Sequence, residues 1–319
     1  MKNINIALCS IGDHAIRNIL PAIANSSKVN LAGIFTRNKK TLVDQSQKYD
    51  CHAYSNFNAL LDDSSVDAVY ITSPNAIHFE QIKNSLFQNK HVIVEKSALT
   101  SLEQTQSIIE LAKKKNLIVF EAFMFLYHSQ FSKLKQIIHK KKYGKVLSIE
   151  ASFGFPHLEK KNIRYSKKLK GGALNDAGAY TISAVLYLMG FDSKLIYSLL
   201  NNELGYEVDT SGIAIFENNG ITGVCNWAMG ASYKNEIRIW CESSCISANY
   251  AFSKPKGLQC NIEISNNGNI EKEMRFSPEN HFINMIDFFA ENIALKKYNF
   301  NYDNILFQSL FMQKIRDNE

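Results

Sequence analysis

Along the first 120 residues the chain alternates between short, unbroken apolar runs and longer stretches where apolar residues return every three or four positions. The apolar runs are Asn3–Cys9, Leu31–Phe35, Asp67–Ile71, His91–Val94 and Leu117–Phe120. They lack in/out alternation and are rich in β-branched residues, the pattern of strands buried on both faces. Helical periodicity fills the gaps, at Ile16–Ala24, Thr41–Tyr49, Asn56–Leu61, Phe79–Phe87 and Ser101–Lys115. Pro21 is expected to kink or end the first of these. Strands alternating with helices predict a doubly wound parallel sheet.

The pattern then changes. After a helix over His128–Lys142 and a turn at Tyr143-Gly144-Lys145, a strand over Val146–Phe153 opens a region dominated by strands. These are expected at Asp209–Phe216, Ile221–Met229, Glu236–Cys241, Cys245–Tyr250, Leu258–Ile264 and Ile270–Phe276, with turns at Asn218-Asn219-Gly220 and Asn266-Asn267-Gly268. Two helices, Asn280–Leu295 and Tyr302–Ile315, close the chain. The expected fold class is therefore α/β plus α+β. A parallel doubly wound domain spans 1–122 and a domain with a largely antiparallel, open sheet spans 123–319. The helix over 302–316 is expected to pack back on the first.

Composition narrows the function. With 319 residues, 45% hydrophobic and 21% charged, the chain has apolar material for two cores. The net charge of +6 comes with lysine clusters such as Lys113–Lys115 and Lys140–Lys142, which suit helix ends. No nucleic-acid reader motif accompanies them, so an anionic cofactor or substrate is the expected partner, not nucleic acid. The six cysteines form no C-x-x-C pair and no signal peptide opens the chain, so the cytoplasm is the expected compartment. No apolar run approaches the ~20 residues of a membrane span. The eight histidines show no zinc-like spacing, so no metal site is expected.

Candidate chemistry gathers where the apolar runs end. Ser10-Ile11-Gly12-Asp13-His14-Ala15 links the first strand to its helix and follows G-x-G-x-x-G/A with serine for the first glycine. Gly12 would let a pyrophosphate approach the backbone. Ser10 is tolerable there provided that its φ stays negative. The second strand ends in Thr36-Arg37 and not in an acid. That favours a 2′-phosphate, and so NADP over NAD, with adenine stacking or helix capping as the plainer roles for Arg37. Asn75, after Thr72-Ser73-Pro74, is a candidate for ribose or nicotinamide, and His78 is either a ligand contact or a helix-surface residue. Glu95-Lys96-Ser97 ends the fourth apolar run, at the crevice edge where ligands bind. Farther on, Gly171-Gly172-Ala173-Leu174-Asn175-Asp176-Ala177-Gly178-Ala179-Tyr180 opens a helix with Asp176 and Tyr180 four apart on one face. An acid among such small apolar neighbours needs a partner.

Together the Gly12 turn, Thr72-Ser73-Pro74-Asn75 with His78, and Glu95-Lys96-Ser97 resemble the Gfo/Idh/MocA oxidoreductases, which carry E-K-P where this chain has Ser97. Glu121-Ala122-Phe123-Met124 with His128 is similar to the branch containing trans-dihydrodiol dehydrogenase and glucose-fructose oxidoreductase. Asn162-Ile163-Arg164 resembles the family's substrate-side N-x-R, and Gly171–Tyr180 its GGxLxDxGxY segment. The resemblance implies an N-terminal Rossmann domain, with Ser10, Ile11, Gly12, Asp13, His14, Thr36, Arg37, Ser73, Asn75, His78, Glu95 and Lys96 at the cofactor. It implies hydride transfer between NADP (or NAD) and a sugar-like ketone or secondary alcohol. Tyr180 would handle the proton, Lys96 would hold the oxygen and lower the tyrosine's pKa, and Asp176 would position Lys96 or a substrate hydroxyl. Arg164 would bind substrate, or be an ordinary surface arginine. A homodimer or homotetramer through the C-terminal sheet is also implied. Two alternatives stay open: a nucleotide-sugar ketoreductase of surface-polysaccharide biosynthesis, and a dinucleotide-responsive regulator on the same fold.

Overall fold

The computed structural model describes residues 3–255, 257–298 and 302–317. It resolves into two compact units, one of Met1–Phe123 with His281–Leu306 and one of Met124–Asn280 with Phe307–Glu319.

In the first unit six strands form one parallel sheet. They are β1 (Ile4–Cys9), β2 (Val29–Phe35), β3 (His52–Ala53), β4 (Ala68–Ile71), β5 (His91–Val94) and β6 (Val119–Glu121), in the order β3-β2-β1-β4-β5-β6. The order reverses between β1 and β4, so a crevice opens at the carboxyl ends of those strands. All four residues of β4 are buried, as are Val92, Ile93 and Val94 of β5, which is why neither run alternates. Helices α1 (Leu20–Asn25), α2 (Lys39–Tyr49), α3 (Phe57–Asp62), α4 (His78–Phe87) and α5 (Leu102–Lys115) connect the strands. Ile82 and Leu86 of α4 and Ile108, Ile109 and Ala112 of α5 join Ala7, Val69, Val92 and Val94 in one core. Each buried aliphatic side chain there contributes about 1.5–3 kcal/mol.

The first helix does not end at Pro21. Ala15–Ile19 wind as a π-helix, and α1 continues through Pro21 to Asn25. Pro21 thus falls in the first turn of the α-helical segment, where a missing N–H is tolerated.

In the second unit α6 (Ser129–His139) and α7 (Ala179–Met189) accompany an eight-stranded sheet. Its strands are β7 (Val146–Phe155), β8 (Lys194–Asn201), β9 (Ser211–Asn218), β10 (Ile221–Met229), β11 (Lys234–Cys241), β12 (Cys245–Asn249), β13 (Cys260–Asn266) and β14 (Asn269–Phe276). The order is β14-β13-β12-β11-β7-β10-β9-β8. Every pairing is antiparallel except β7 with β10, so the largely antiparallel expectation holds. Helix α7, nearly all buried, packs on β7 and β10. Helix α8 (His281–Ala294) and the first turn of α9 (Tyr302–Asp317) belong to the first unit, where the Tyr302 hydroxyl donates to the Leu117 carbonyl.

Candidate functional site

At the carboxyl edge of the parallel sheet, β1 turns sharply at Ser10. Its φ is 69°, so the condition set for a serine here is not met: Ser10 occupies the left-handed region that glycine takes in the usual fingerprint. The turn is braced instead. The Ser10 amide donates to the Phe35 carbonyl (2.8 Å), and the Thr72 hydroxyl reaches the carbonyls of Ser10 (2.7 Å) and Cys9 (3.0 Å). A Cβ placed on Gly12 would meet nothing within 4 Å, so the turn presents open backbone. Asp13 and His14 follow at the start of the helix; Ile11 is buried beneath them. At the end of β2, Thr36 is buried and Arg37 exposed. The cap of α2 is taken by Asn38, which accepts the Thr41 amide, so capping is not the role of Arg37.

The Thr72–Asn75 segment is held from below. Ser73 donates to Gln81 (2.6 Å), and Gln81 donates to the Cys9 sulfur (3.3 Å). Asn75 starts a single 3₁₀ turn before α4. His78 departs from expectation. It is fully buried, with Nε2 2.8 Å from the Ser73 carbonyl and Nδ1 3.1 Å from the carbonyls of Ser97 and Ala98. Burial pushes its pKa down despite those oxygens. This placement makes it a brace between two loops and not a helix-surface residue.

Lys96 follows β5, and its charge acts on two carboxylates, the largely covered Glu95 and the buried Glu121. Glu95 accepts the Tyr70 hydroxyl (2.9 Å) and lies 3.4 Å from His14 Nε2. Burial pushes Glu95 up, but His14, the Tyr70 hydroxyl and Lys96 outweigh it, and its pKa lies below the usual range. Glu121, at the end of β6, accepts the Ala98 amide at 2.8 Å. There burial wins over that amide and over Lys96, and Glu121 is pushed up to about 7. The two acids beside one lysine are thus driven in opposite directions. The peptide between Lys96 and Ser97 is cis.

In the second unit Gly171 and Gly172 let two backbones meet. A Cβ on Gly171 would lie 2.2 Å from the Arg164 carbonyl, which accepts the Gly172 amide at 2.8 Å. Gly172 has φ 103°, and a Cβ there would strike the Asp209 carboxylate. This closure brings Arg164 Nε to 2.7 Å from Asp176 Oδ2. One partner of the acid is Arg164, a contact across a loop that one-turn helical spacing does not reveal. Asp176 itself lies in a π-helical turn, Leu174–Gly178, before α7. Tyr180, four residues on from Asp176, is packed against Phe125, Phe153 and Phe252 with its hydroxyl 3.5 Å from the Met124 sulfur. Asp209 was not anticipated: its carboxylate accepts the Leu174 amide (2.6 Å) and its carbonyl the Ala173 amide (2.9 Å). It read as the start of a strand, and its role depends on a chain segment 35 residues away. Among the described residues there is no group of three or more His, Cys, Asp or Glu able to hold a metal ion.

A doubly wound sheet with an open glycine turn at its switch point defines a dinucleotide-binding protein. Residues 4–123 match the oxidoreductase family with an NAD-binding Rossmann fold, and residues 131–247 match the GFO/IDH/MocA C-terminal domain. The chain belongs to the Gfo/Idh/MocA family, and it is an NAD(P)-dependent oxidoreductase. It is 26% identical, over 92% of its length and 88% of the relative's, to a dTDP-3,4-didehydro-2,6-dideoxy-α-D-glucose 3-reductase of Saccharopolyspora spinosa. A D-xylose 1-dehydrogenase (NADP⁺) of Haloferax volcanii is 24% identical, with coverages of 87% and 85%. Among solved structures, KijD10, a 3-ketoreductase from Actinomadura kijaniata in complex with NADP and TDP-benzene, superposes with a TM-score of 0.94 at 25% identity, covering 99% of this chain and 98% of that one.

Proposed function

We propose that this protein is an NADP-dependent ketoreductase whose substrate is a keto sugar carried on a nucleoside diphosphate. The observation that carries the reading is Lys96, two residues past the end of a buried strand, with its charge acting on the carboxylates of Glu95 and Glu121. The substrate class draws support from the dTDP-sugar 3-reductase that matches over 92% of this chain.

The residues present fit NADP. The Ser10–Ala15 turn, open at Gly12, would hold the diphosphate through its amides. Thr36 and the exposed Arg37, with no acid beside them to take a ribose 2′-hydroxyl, would hold the 2′-phosphate. Ser73 and Asn75 would flank the ribose and nicotinamide. When bound, the cofactor supplies the hydride. Lys96 donates a hydrogen bond to the substrate's carbonyl oxygen, and Tyr180 gives that oxygen its proton. The Lys96 charge favours the phenolate left behind. Asp176 orients Arg164, and Arg164 binds a substrate hydroxyl or phosphate. In this reading the first unit binds the dinucleotide, and the second binds the substrate.

A second copy of the chain would cover the open face of the eight-stranded sheet, giving a homodimer or homotetramer. Tyr197 and Leu199 of β8 lie opposite Ile215 and Ile213 of β9 on that face, and Val224 and Asn226 of β10 continue the two rows. Tyr197 and Leu199 are 50% and 45% exposed. No helix among the described residues is long and apolar enough to cross a membrane. The unpaired cysteines suit a reducing compartment, and the proposed location is the cytoplasm.

The test pairs a variant with a substrate comparison. Lys96→Met should lower NADPH-dependent reduction of a dTDP-linked 3-keto sugar by about 100- to 10,000-fold, leaving a small residual rate, while NADPH affinity stays within about twofold. Turnover within a few-fold of the parent would refute the role of Lys96. Free aldoses turned over as efficiently as the nucleotide-linked sugar would refute the substrate class.

A further inference from the structure

The segment that carries Lys96 is gripped from two sides within the first unit. On one side His78, the first residue of α4, places its ring Nδ1 3.1 Å from the carbonyls of Ser97 and Ala98. On the other, Glu121, the last residue of β6, accepts the Ala98 amide at 2.8 Å. Glu121 pairs in register with Val94, so its side chain starts one strand over from the end of β5 and reaches past Glu95 to Ala98. Both gripping residues are buried, His78 at 0% and Glu121 at 6% exposure. A buried carboxyl costs stability, and an apolar residue would fill the same space more cheaply. What the carboxyl provides is an acceptor for one backbone amide, two residues from Lys96. This matters in a chain with serine after the lysine, because no proline ring stiffens that turn.

We propose that Glu121 is a positioning residue for Lys96: its carboxyl holds the Ala98 amide and so fixes the direction in which the Lys96 side chain leaves the strand. The proposal rests on the reading that Lys96 contacts the substrate oxygen. Burial pushes Glu121 up to about 7, with the Lys96 and Glu95 charges acting on it in opposite directions. Neutral or ionised, a carboxyl oxygen accepts from the Ala98 amide, and so does the oxygen of a glutamine amide.

The test compares reach with charge. Glu121→Asp keeps the charge and withdraws the acceptor by one methylene; Glu121→Gln keeps the reach and removes the charge. For Glu121→Asp we expect kcat to fall about 10- to 100-fold, the range for a misplacement on the order of 1 Å. NADPH affinity should stay within about twofold, and Ala98 amide exchange should quicken. Glu121→Gln should restore kcat to within about threefold of the parent, since the acceptor is kept. In a Lys96→Met background, Glu121→Asp should cost nothing further in the residual rate, which a general structural defect would not reproduce. The positioning role is overturned by Glu121→Asp with parental kcat, or by an equal loss with and without Lys96. Lys96→Met with near-parental turnover would instead sink the underlying reading, and this proposal with it.

Discussion

Replacing Glu121 by glutamine should change how stability depends on pH. The folded pKa of this carboxyl is about 7, against an ordinary value of 4.5, and burial is the cause. Below the ordinary value the group is neutral in folded and unfolded chains alike, and its contribution is intact. Between about pH 4.5 and about 7 the unfolded chain ionises while the folded one holds its proton, so the unfolded chain binds fewer protons and stability falls as pH rises. At 1.36 kcal/mol per unit the loss comes to about 3 kcal/mol and is complete above about pH 7. Glutamine does not titrate and keeps an acceptor for the Ala98 amide. The variant should therefore gain about 3 kcal/mol on the parent between about pH 4 and about pH 8, the other titrating groups cancelling in the difference. Both tryptophans, Trp227 and Trp240, lie in the second unit, so indole fluorescence follows the wrong transition. Urea denaturation read by amide hydrogen exchange within the parallel sheet is the suitable assay. A parent–variant difference that stays flat with pH would refute the buried, raised carboxyl.

Other changes probe other parts of the two units. Asp209→Ala leaves the buried Leu174 amide without its acceptor, and should destabilise the second unit by about 2 kcal/mol in chemical denaturation. Ser10→Gly relieves a left-handed serine, a cost of about 1–2 kcal/mol, and adds unfolded-chain entropy worth about 0.5–1 kcal/mol. A net stabilisation of up to about 1.5 kcal/mol should appear as a raised melting temperature, and a lowered one would contradict the strain. Leu199→Glu puts a charge into the open sheet face and should shift sedimentation toward the monomer without changing NADPH affinity.

The parallel sheet was legible because strands buried on both faces write themselves as unbroken apolar runs, as β4 and β5 do. The residues at the ends of those runs were legible for the same reason: once β5 is placed, Lys96 has to stand at the crevice edge. What the sequence concealed were contacts between segments distant along the chain. Glu121 read as part of a family-like motif, yet it accepts an amide 23 residues away, in the loop that follows the neighbouring strand. His78 read as a surface residue or a ligand contact because helical periodicity says nothing about the loop after β5 that folds over it. Asp176 was correctly expected to need a partner, but its identity depended on Gly171 and Gly172 admitting the Arg164 backbone, a steric fact without a periodic signature. Ser10 was misjudged, and Pro21 interrupts the regular helix without ending it. Ser10 breaks a local rule in the turn at the switch point and is accommodated there by the Thr72 and Phe35 hydrogen bonds, and Pro21 sits inside the following helix behind a π-helical widening. Local rules weigh one residue against its neighbours in sequence, whereas the energy that tolerates the exception comes from neighbours in space. The left-handed Ser10 stands at the carboxyl edge of the parallel sheet, the place where a doubly wound fold takes its ligand and where local strain has a use.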